Sequence, residues 1–249
     1  MSFWNRIFSK NEESFPNVDL SIFQVDMHSH LIPGIDDGSK TMDHTIAMLA
    51  KFQSLGYHKV ITTPHIMSDY YRNTPDIILG GLENVRAELK KLNLKIEIEA
   101  AAEYYFDDAL MKKLINKEPL LTFSGKHVLF EFSFHSQPEQ IDKLIFELVT
   151  QGYIPVLAHF ERYVYFHGSV DKAIEYRKSG VLIQLNFNSI FGHYGPDVKK
   201  QAELLIDSGE IDFVATDCHR IEHLLILENN LNKPYLHKLS ALKLKNNSL

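Results

Sequence analysis

Seven times along this chain a short apolar run is followed by a stretch whose apolar residues recur at helical spacing. The runs cover residues 22–27, 58–63, 95–102, 127–130, 154–158, 181–185 and 211–216. Short apolar runs bounded by turn residues read as buried strands. The helical stretches cover residues 42–55, a segment capped by Thr74 with Pro75 at its first position, 107–115, a segment opened by Pro138, 170–178, 197–206, and the chain from Pro234 onward. In the second, Ile78, Leu82, Val85, Leu89 and Leu92 are spaced as one face of a helix, and in the first Met42, Ile46, Leu49 and Phe52 are. Gly56, Gly152, Gly180 and Gly209 stand where helices end on a left-handed residue. Alternation of this kind implies an α/β fold with a parallel sheet and right-handed crossovers. Seven units fit a closed or nearly closed barrel better than an open sheet, though the sequence leaves both open.

The chain has 249 residues, and α/β barrels of about 250 residues fold as one domain. No linker, repeat or composition shift divides it. Residues 21–249 therefore read as a single domain, preceded by an extension over residues 1–20. That extension carries Phe3, Trp4, Ile7 and Phe8 beside Arg6 and Lys10. It is expected to pack on the domain or stay disordered, rather than to touch a membrane surface or a partner as an amphipathic helix.

The strand ends carry the chemistry. His28 and His30 follow the first strand two residues apart, so both imidazoles face one spot. Pro33-Gly34 turns the chain, and Asp36-Asp37-Gly38 returns carboxylates toward it. The next strands end at His65, Glu103, Glu131, His159 and Asp217/His219, and one ends at Asn186. In parallel barrels the active site sits at these carboxyl ends. Each residue alone is unremarkable there. Together with Asp37 they make nine ligand-type side chains at one end of the fold. So many carboxylates would repel one another unless cations stood among them. Histidine and carboxylate without thiolate suit Mn, Fe or Zn, and the share of carboxylates favours Mn or Fe. Such a site makes hydroxide near neutral pH and clamps an oxyanion, which points to phosphoester hydrolysis. The remaining histidines, His193 and His223 among them, read as structural or solvated.

Other classes are disfavoured. A net charge of −6 argues against a nucleic-acid surface. No apolar run approaches the roughly 18 residues of a membrane span, and no secretory signal is visible at the start. One cysteine, Cys218, excludes an internal disulfide and fits a reducing cytoplasm. Leu224 stands where a Cys-x5-Arg phosphatase needs arginine, so Cys218 does not read as a nucleophile. Glycine-rich nucleotide cradles are absent.

His28-x-His30, Asp36-Asp37-Gly38, Thr63-Pro64-His65, Ala102-Glu103, Phe130-Glu131-Phe132, His159-Phe160-Glu161-Arg162-Tyr163 and Asp217-x-His219 resemble the PHP (polymerase and histidinol phosphatase) superfamily. Gln184-x-Asn186-x-x-Ser189-x-x-Gly192-x-x-Gly195, with Glu161-Arg162-Tyr163, is similar to the bacterial manganese-dependent tyrosine phosphatases of capsule and exopolysaccharide operons. The resemblance spans residues 22 to about 223. It implies a distorted (β/α)7 TIM-like barrel of PHP type with two or three divalent ions, Mn first. It implies that His28, His30, Glu103 and Asp217 hold one metal, that Glu103 bridges to a second shared with Glu131 and His159, and that Asp37, His65 and His219 hold a third. A metal-bound hydroxide would attack phosphorus while Arg162 steadies the phosphate. The implied substrate is a phosphotyrosyl protein, a tyrosine autokinase controlling polysaccharide assembly.

Two departures stand out. Phe160 replaces the family's usual proline, and the second arginine expected a few residues past the last histidine is Leu224. Arg220 is the remaining candidate for that contact. Three rival readings follow from the same residues: a PHP phosphatase of a small alkyl phosphate such as histidinol phosphate, a nuclease of the superfamily, and a metal-binding regulatory module without turnover. The loops after the strands are rich in aromatics, among them Tyr70, Tyr71, Tyr104, Phe132, Phe134, Phe160, Tyr163, Phe187 and Tyr194. A rim of such rings would accept a flat phenyl phosphate.

Overall fold

The computed structural model describes residues 15–249. The hydrophobic cluster foreseen at Phe3, Trp4, Ile7 and Phe8 lies outside the described residues. Strands β1 (Val25–Asp26), β2 (Lys59–Thr62) and β4 (Glu97–Ala100) form one sheet. Strands β3 (His65–Ile66), β5 (Glu103–Tyr105), β6 (His127–Glu131), β7 (Ile154–Leu157), β8 (Leu182–Asn186) and β9 (Phe213–Ala215) form another. Every pairing between these strands is parallel.

The two sheets are one ring. β3 continues β2 after Thr63-Pro64, and β5 continues β4 after Ala101-Ala102. Pro64 has no N–H to give the ladder, so the strand breaks there. Pairing is carried across the break by Ala101 N–H to Thr62 O at 2.9 Å and Glu103 N–H to Pro64 O at 3.1 Å. At the other side Asp217 N–H reaches His28 O, and His30 N–H reaches Cys218 O, each at 2.9 Å. Seven strand positions thus close into a distorted (β/α)7 barrel, the architecture the alternation predicts.

Around it run α1 (Met42–Ser54), α2 (Pro75–Leu92), α3 (Asp108–Ile115), α4 (Ile141–Thr150), α5 (Asp171–Lys178), α6 (Phe187–Ile190), α7 (Pro196–Ser208), α8 (Ile221–Glu228) and α9 (Pro234–Ser240). Thr41, Thr74 and Asp107 cap α1, α2 and α3 through their side-chain oxygens. Strand alternation divides the core. In β6, Val128 and Phe130 join the outer cluster beneath the helices, whereas Leu129 joins an inner cluster that fills the barrel. Glu131, two residues beyond Leu129, points inward at the open end. The inner cluster includes Ala101, Ala158 and Ala215, small residues just before or after the ligand-bearing strand ends.

Several details differ from expectation. The first strand starts later than residue 22, because Leu20–Phe23 forms a 3-10 turn capped by Asp19, and Gln24 takes a left-handed φ of 59°. Leu92 is 48% exposed, since the helical face has rotated out of the core by its last turn, where Asn93 caps it. In α1 the fully buried residues are Thr45, Met48, Leu49 and Phe52, with Met42 and Ile46 at the margin. The helices α6 and α8 are not foreseen; α6 follows β8 without a loop, and α8 follows Arg220 directly.

The chain after α9 closes the amino end of the barrel. Asn246 is buried there, donates to Val25 O at 3.0 Å and Val214 O at 2.7 Å, and accepts from Val214 N–H at 3.1 Å. It joins β1 to β9 below the pairing of His30 with Cys218. At the start of the described chain, Val18 N–H donates to Leu231 O at 2.9 Å, and Phe15 lies 5.0 Å from the His237 ring.

Candidate metal centre

His28, His30, Asp37, His65, Glu103, Glu131, His159, Asp217 and His219 all converge at the carboxyl end of the barrel. His28 Nε2 lies 3.2 Å from Glu103 Oε2, 3.4 Å from Asp217 Oδ1 and 3.3 Å from His30 Nε2. His30 Nε2 lies 3.4 Å from Glu103 Oε2 and 3.5 Å from Asp217 Oδ1. Four donors about 2.1 Å from a tetrahedral ion stand about 3.4 Å apart, so this spacing fits one cation. His65 Nδ1 lies 3.2 Å from both Glu103 Oε2 and Glu131 Oε1, and His159 Nε2 lies 3.1 Å from Glu103 Oε1 and 3.6 Å from Glu131 Oε2. Asp37 Oδ1 faces His219 Nε2 at 3.4 Å and His65 Nε2 at 3.5 Å, with His30 completing a group of four. Glu103 therefore sits at the centre, and His65 offers one nitrogen to each side.

The chain bends to make these contacts. His159 and Asp217, at the ends of β7 and β9, adopt left-handed φ values of 33° and 50°. Such conformations cost energy and cluster at functional positions. Gly38 packs its Cα against His30. A Cβ there would lie 2.3 Å from His30 Cβ and O, so only glycine lets the 36–38 loop fold back.

Three of the five histidines have one ring nitrogen held by a neighbour outside the centre. His28 Nδ1–H donates to Gln184 Oε1 at 3.1 Å, His30 Nδ1–H to Asp36 Oδ2 at 2.8 Å, and His219 Nδ1–H to the Asp217 carbonyl at 2.9 Å. In the neutral form this leaves the Nε2 lone pairs of these three facing the centre. Asp36 is itself fixed by the N–H groups of Gly38 at 2.9 Å and His65 at 3.2 Å. Gln184 also accepts from His159 N–H at 2.8 Å and donates to Asn186 Oδ1 at 2.8 Å. Glu161 is buried and accepts from Ser189 Oγ at 2.5 Å and Asn186 N–H at 3.1 Å, tying the turn after β7 to the end of β8.

The donor set fits a cation. Glu103 Oε2 and His65 Nδ1 are buried at the centre and form no well-aligned hydrogen bond. Burial opposes charge on His28, yet Glu103 and Asp217 lift its imidazole to about 9. Burial likewise opposes charge on His30, which Asp36, Asp217 and Glu103 raise well above its ordinary range. Burial would raise Glu103 and Asp217, but the imidazoles around them, His28 first, hold both well below the usual carboxylate range. The carboxylates at the centre thus favour positive charge beside them.

Above the cluster opens a cavity of about 440 Å³ lined by seven of the nine residues of the cluster, all but His28 and His30, and by Phe134, Arg162, His193, Tyr194, Arg220 and His223. Arg162 donates from Nη1 to Asp217 Oδ2 at 3.2 Å. Arg220 stands on the rim with its side chain 62% exposed, and its Nε is 4.0 Å from Glu222. Leu224 is fully buried in the outer core, which rules out that position for a second phosphate contact. His193 and His223 belong to the cavity wall, contrary to the structural or solvated reading. His223 Nδ1 approaches the Asp217 carbonyl at 3.1 Å, and its ring packs on His193 at 5.2 Å. Cys218 points away from the cluster toward Met48 Sδ at 3.6 Å, and burial pushes its thiol well up. The aromatic rim is smaller than expected. Tyr104, Phe132, Phe160, Tyr163 and Phe187 are buried in the core. Tyr71 stacks on His65 at 5.4 Å, and Phe134 and Tyr194 flank Arg162.

Sequence reasoning missed the roles of Asp36, Gln184 and Asn186. A signal for two of them was present: Gln184 and Asn186 stand two apart at a strand end, as His28 and His30 do.

Fold and centre together define a seven-stranded α/β barrel with a histidine–carboxylate metal-type site at its carboxyl end. The chain belongs to the CpsB/CapC family of capsular polysaccharide synthesis, whose model matches residues 24–225. It is 31% identical over 217 residues to CapC of Staphylococcus aureus, covering 86% of this chain and 80% of CapC. It is 26% identical over 198 residues to the tyrosine-protein phosphatase YwqE of Bacillus subtilis, covering 80% of this chain and 78% of YwqE. A crystal structure from work on YwqE and on CpsB of Streptococcus pneumoniae, described as metal-dependent tyrosine phosphatases, superposes with a TM-score of 0.74 at 25% identity, covering 89% of this chain and 94% of that one. No helix among the described residues is long and apolar enough to cross a membrane.

Proposed function

We propose that this chain is a metal-dependent protein-tyrosine phosphatase. One observation carries the reading: five imidazoles and four carboxylates gather beneath a cavity into which Arg162 projects. Membership of the CpsB/CapC family supports it. The proposed metal ligands are His28, His30, Asp37, His65, Glu103, Glu131, His159, Asp217 and His219, for two or three divalent ions. A carboxylate-rich set without thiolate suits Mn, with Fe or Zn behind it. Bound cations would supply Lewis acidity to the phosphoryl oxygens and lower the pKa of a coordinated water.

The chain's own residues do the rest. Arg162 offers in-plane N–H donors that match phosphate oxygens in pairs. Arg220, on the rim, adds positive charge from the solvent side. Gln184, Asp36 and Asn186 hold His28, His30 and Asp217 in fixed orientation, so little reorganisation accompanies the reaction. A phenol has a pKa of about 10, so tyrosine leaves readily without a strong general acid. The substrate proposed is a phosphotyrosyl protein, a tyrosine autokinase of polysaccharide assembly, met in the cytoplasm by the domain over residues 21–249. Chelated protein should not release phosphate from a phosphotyrosyl peptide, and added Mn²⁺ should restore release. Equal activity with and without chelator would count against the assignment.

A further inference from the structure

We propose that Phe134 and Tyr194 are positioning residues that clamp Arg162 flat between their rings and aim its N–H edge at the phosphoryl group; this rests on the reading of Arg162 as the phosphate contact. The Arg162 Cζ lies 4.1 Å from the centre of the Phe134 ring and 4.5 Å from that of Tyr194. The two rings come from separate parts of the chain, Phe134 after β6 and Tyr194 after α6. A guanidinium donates only in its plane, and its weakly hydrated faces stack on aromatic rings. In the proposed clamp each ring covers one face, so only the edge is left to make hydrogen bonds. One N–H of that edge goes to Asp217 Oδ2. The others have no partner among the described residues and border the cavity.

The rings are themselves held. Phe134 meets His159 edge-on at 5.3 Å and Tyr163 at 5.9 Å. Tyr194 packs against His193 at 4.8 Å. The buried Tyr194 hydroxyl lies near Asn186 but forms no well-aligned hydrogen bond. The clamp removes rotamer freedom from a long side chain before substrate arrives, so binding does not bear that entropy loss.

The test uses the full Mn²⁺-loaded chain and inorganic phosphate, which has no phenyl ring. Phe134→Leu and Tyr194→Leu should each weaken phosphate binding, by calorimetry and as inhibitor, by about 5- to 20-fold. kcat/KM for a phosphotyrosyl peptide should fall in parallel, with metal content unchanged. Tyr194→Phe should stay near wild type. In an Arg162→Lys background the leucine substitutions should cost nothing further. Unchanged phosphate binding in both leucine variants, alongside weakened binding in Arg162→Lys, overturns the clamp and leaves the Arg162 reading standing. Loss of kcat/KM with phosphate binding intact also overturns it, because the rings would then act on the substrate's phenyl group. If Arg162→Lys itself binds phosphate normally, the premise has failed and the clamp falls with it.

Discussion

Arg162 Nη1 donates to Asp217 Oδ2 at 3.2 Å, while the other oxygen of the same carboxylate, Oδ1, faces His28, His30 and His219 at 3.3 to 3.5 Å. Asp217 thus joins the histidine–carboxylate cluster to the side chain proposed to bind phosphate. Asn186 Nδ2 reaches the same Oδ2 at 2.8 Å, a second hold on the carboxylate beside Arg162. Arg162→Lys should therefore lose about 10- to 100-fold in kcat/KM while metal content, measured by elemental analysis, stays at the wild-type value.

Gln184 touches no cation in this account, yet it orients His28 and His159. Gln184→Ala should weaken Mn²⁺ affinity about 10- to 100-fold, as loss of an outer partner typically does. His28→Ala or Glu103→Ala should abolish turnover and lower the bound metal. Equilibrium dialysis separates the two patterns.

Protonation links the cluster to pH. In the metal-free chain Glu103 and Asp217 hold the His28 imidazole up to about 9 against the cost of burial, so it is charged at neutral pH. A cation must expel that proton, so apparent metal affinity should rise with pH between about 6 and 9. Calorimetry in buffers of different ionisation enthalpy should register the release. Without metal the sign reverses. A raised imidazole stabilises the fold fully below its ordinary value of 6.5, and the contribution is lost as pH climbs through about 9. The Tm of chelated protein should fall over that window.

Asn246 closes the ring at the end remote from the site. Asn246→Ala leaves buried backbone groups of Val25 and Val214 without partners and should cost about 2–4 kcal/mol in denaturant unfolding. Activity per folded molecule should change little.

The barrel and the gathering of the nine side chains at one end were legible because both rest on strong local signals. Apolar runs alternate with helical spacing, and His28, His65, Glu103, Glu131 and His159 stand at strand ends, where parallel topology gathers them. Direction was harder to read. Asp36 and Asp37 are adjacent in sequence, yet Asp36 sits buried behind His30 while Asp37 faces the cavity. Gln184 and Asn186 are neutral amides, so nothing in their chemistry marked them as supports for the cluster. The aromatics were placed at the correct end of the barrel, but only burial separates Phe132 and Tyr163 in the core from Phe134 and Tyr194 beside Arg162. Leu224 could be read as a missing arginine but not as a core residue. The tail carried no motif, because Asn246 works through backbone groups some distance away in sequence.

The most direct measurement compares two substrates under the same Mn²⁺ conditions: a phosphotyrosyl peptide and histidinol phosphate. A cavity with Arg162, Phe134 and Tyr194 at its wall should favour the phenyl ester in kcat/KM by at least about tenfold, or about 1.4 kcal/mol. Faster turnover of histidinol phosphate would contradict the account and make the chain a small-molecule phosphatase.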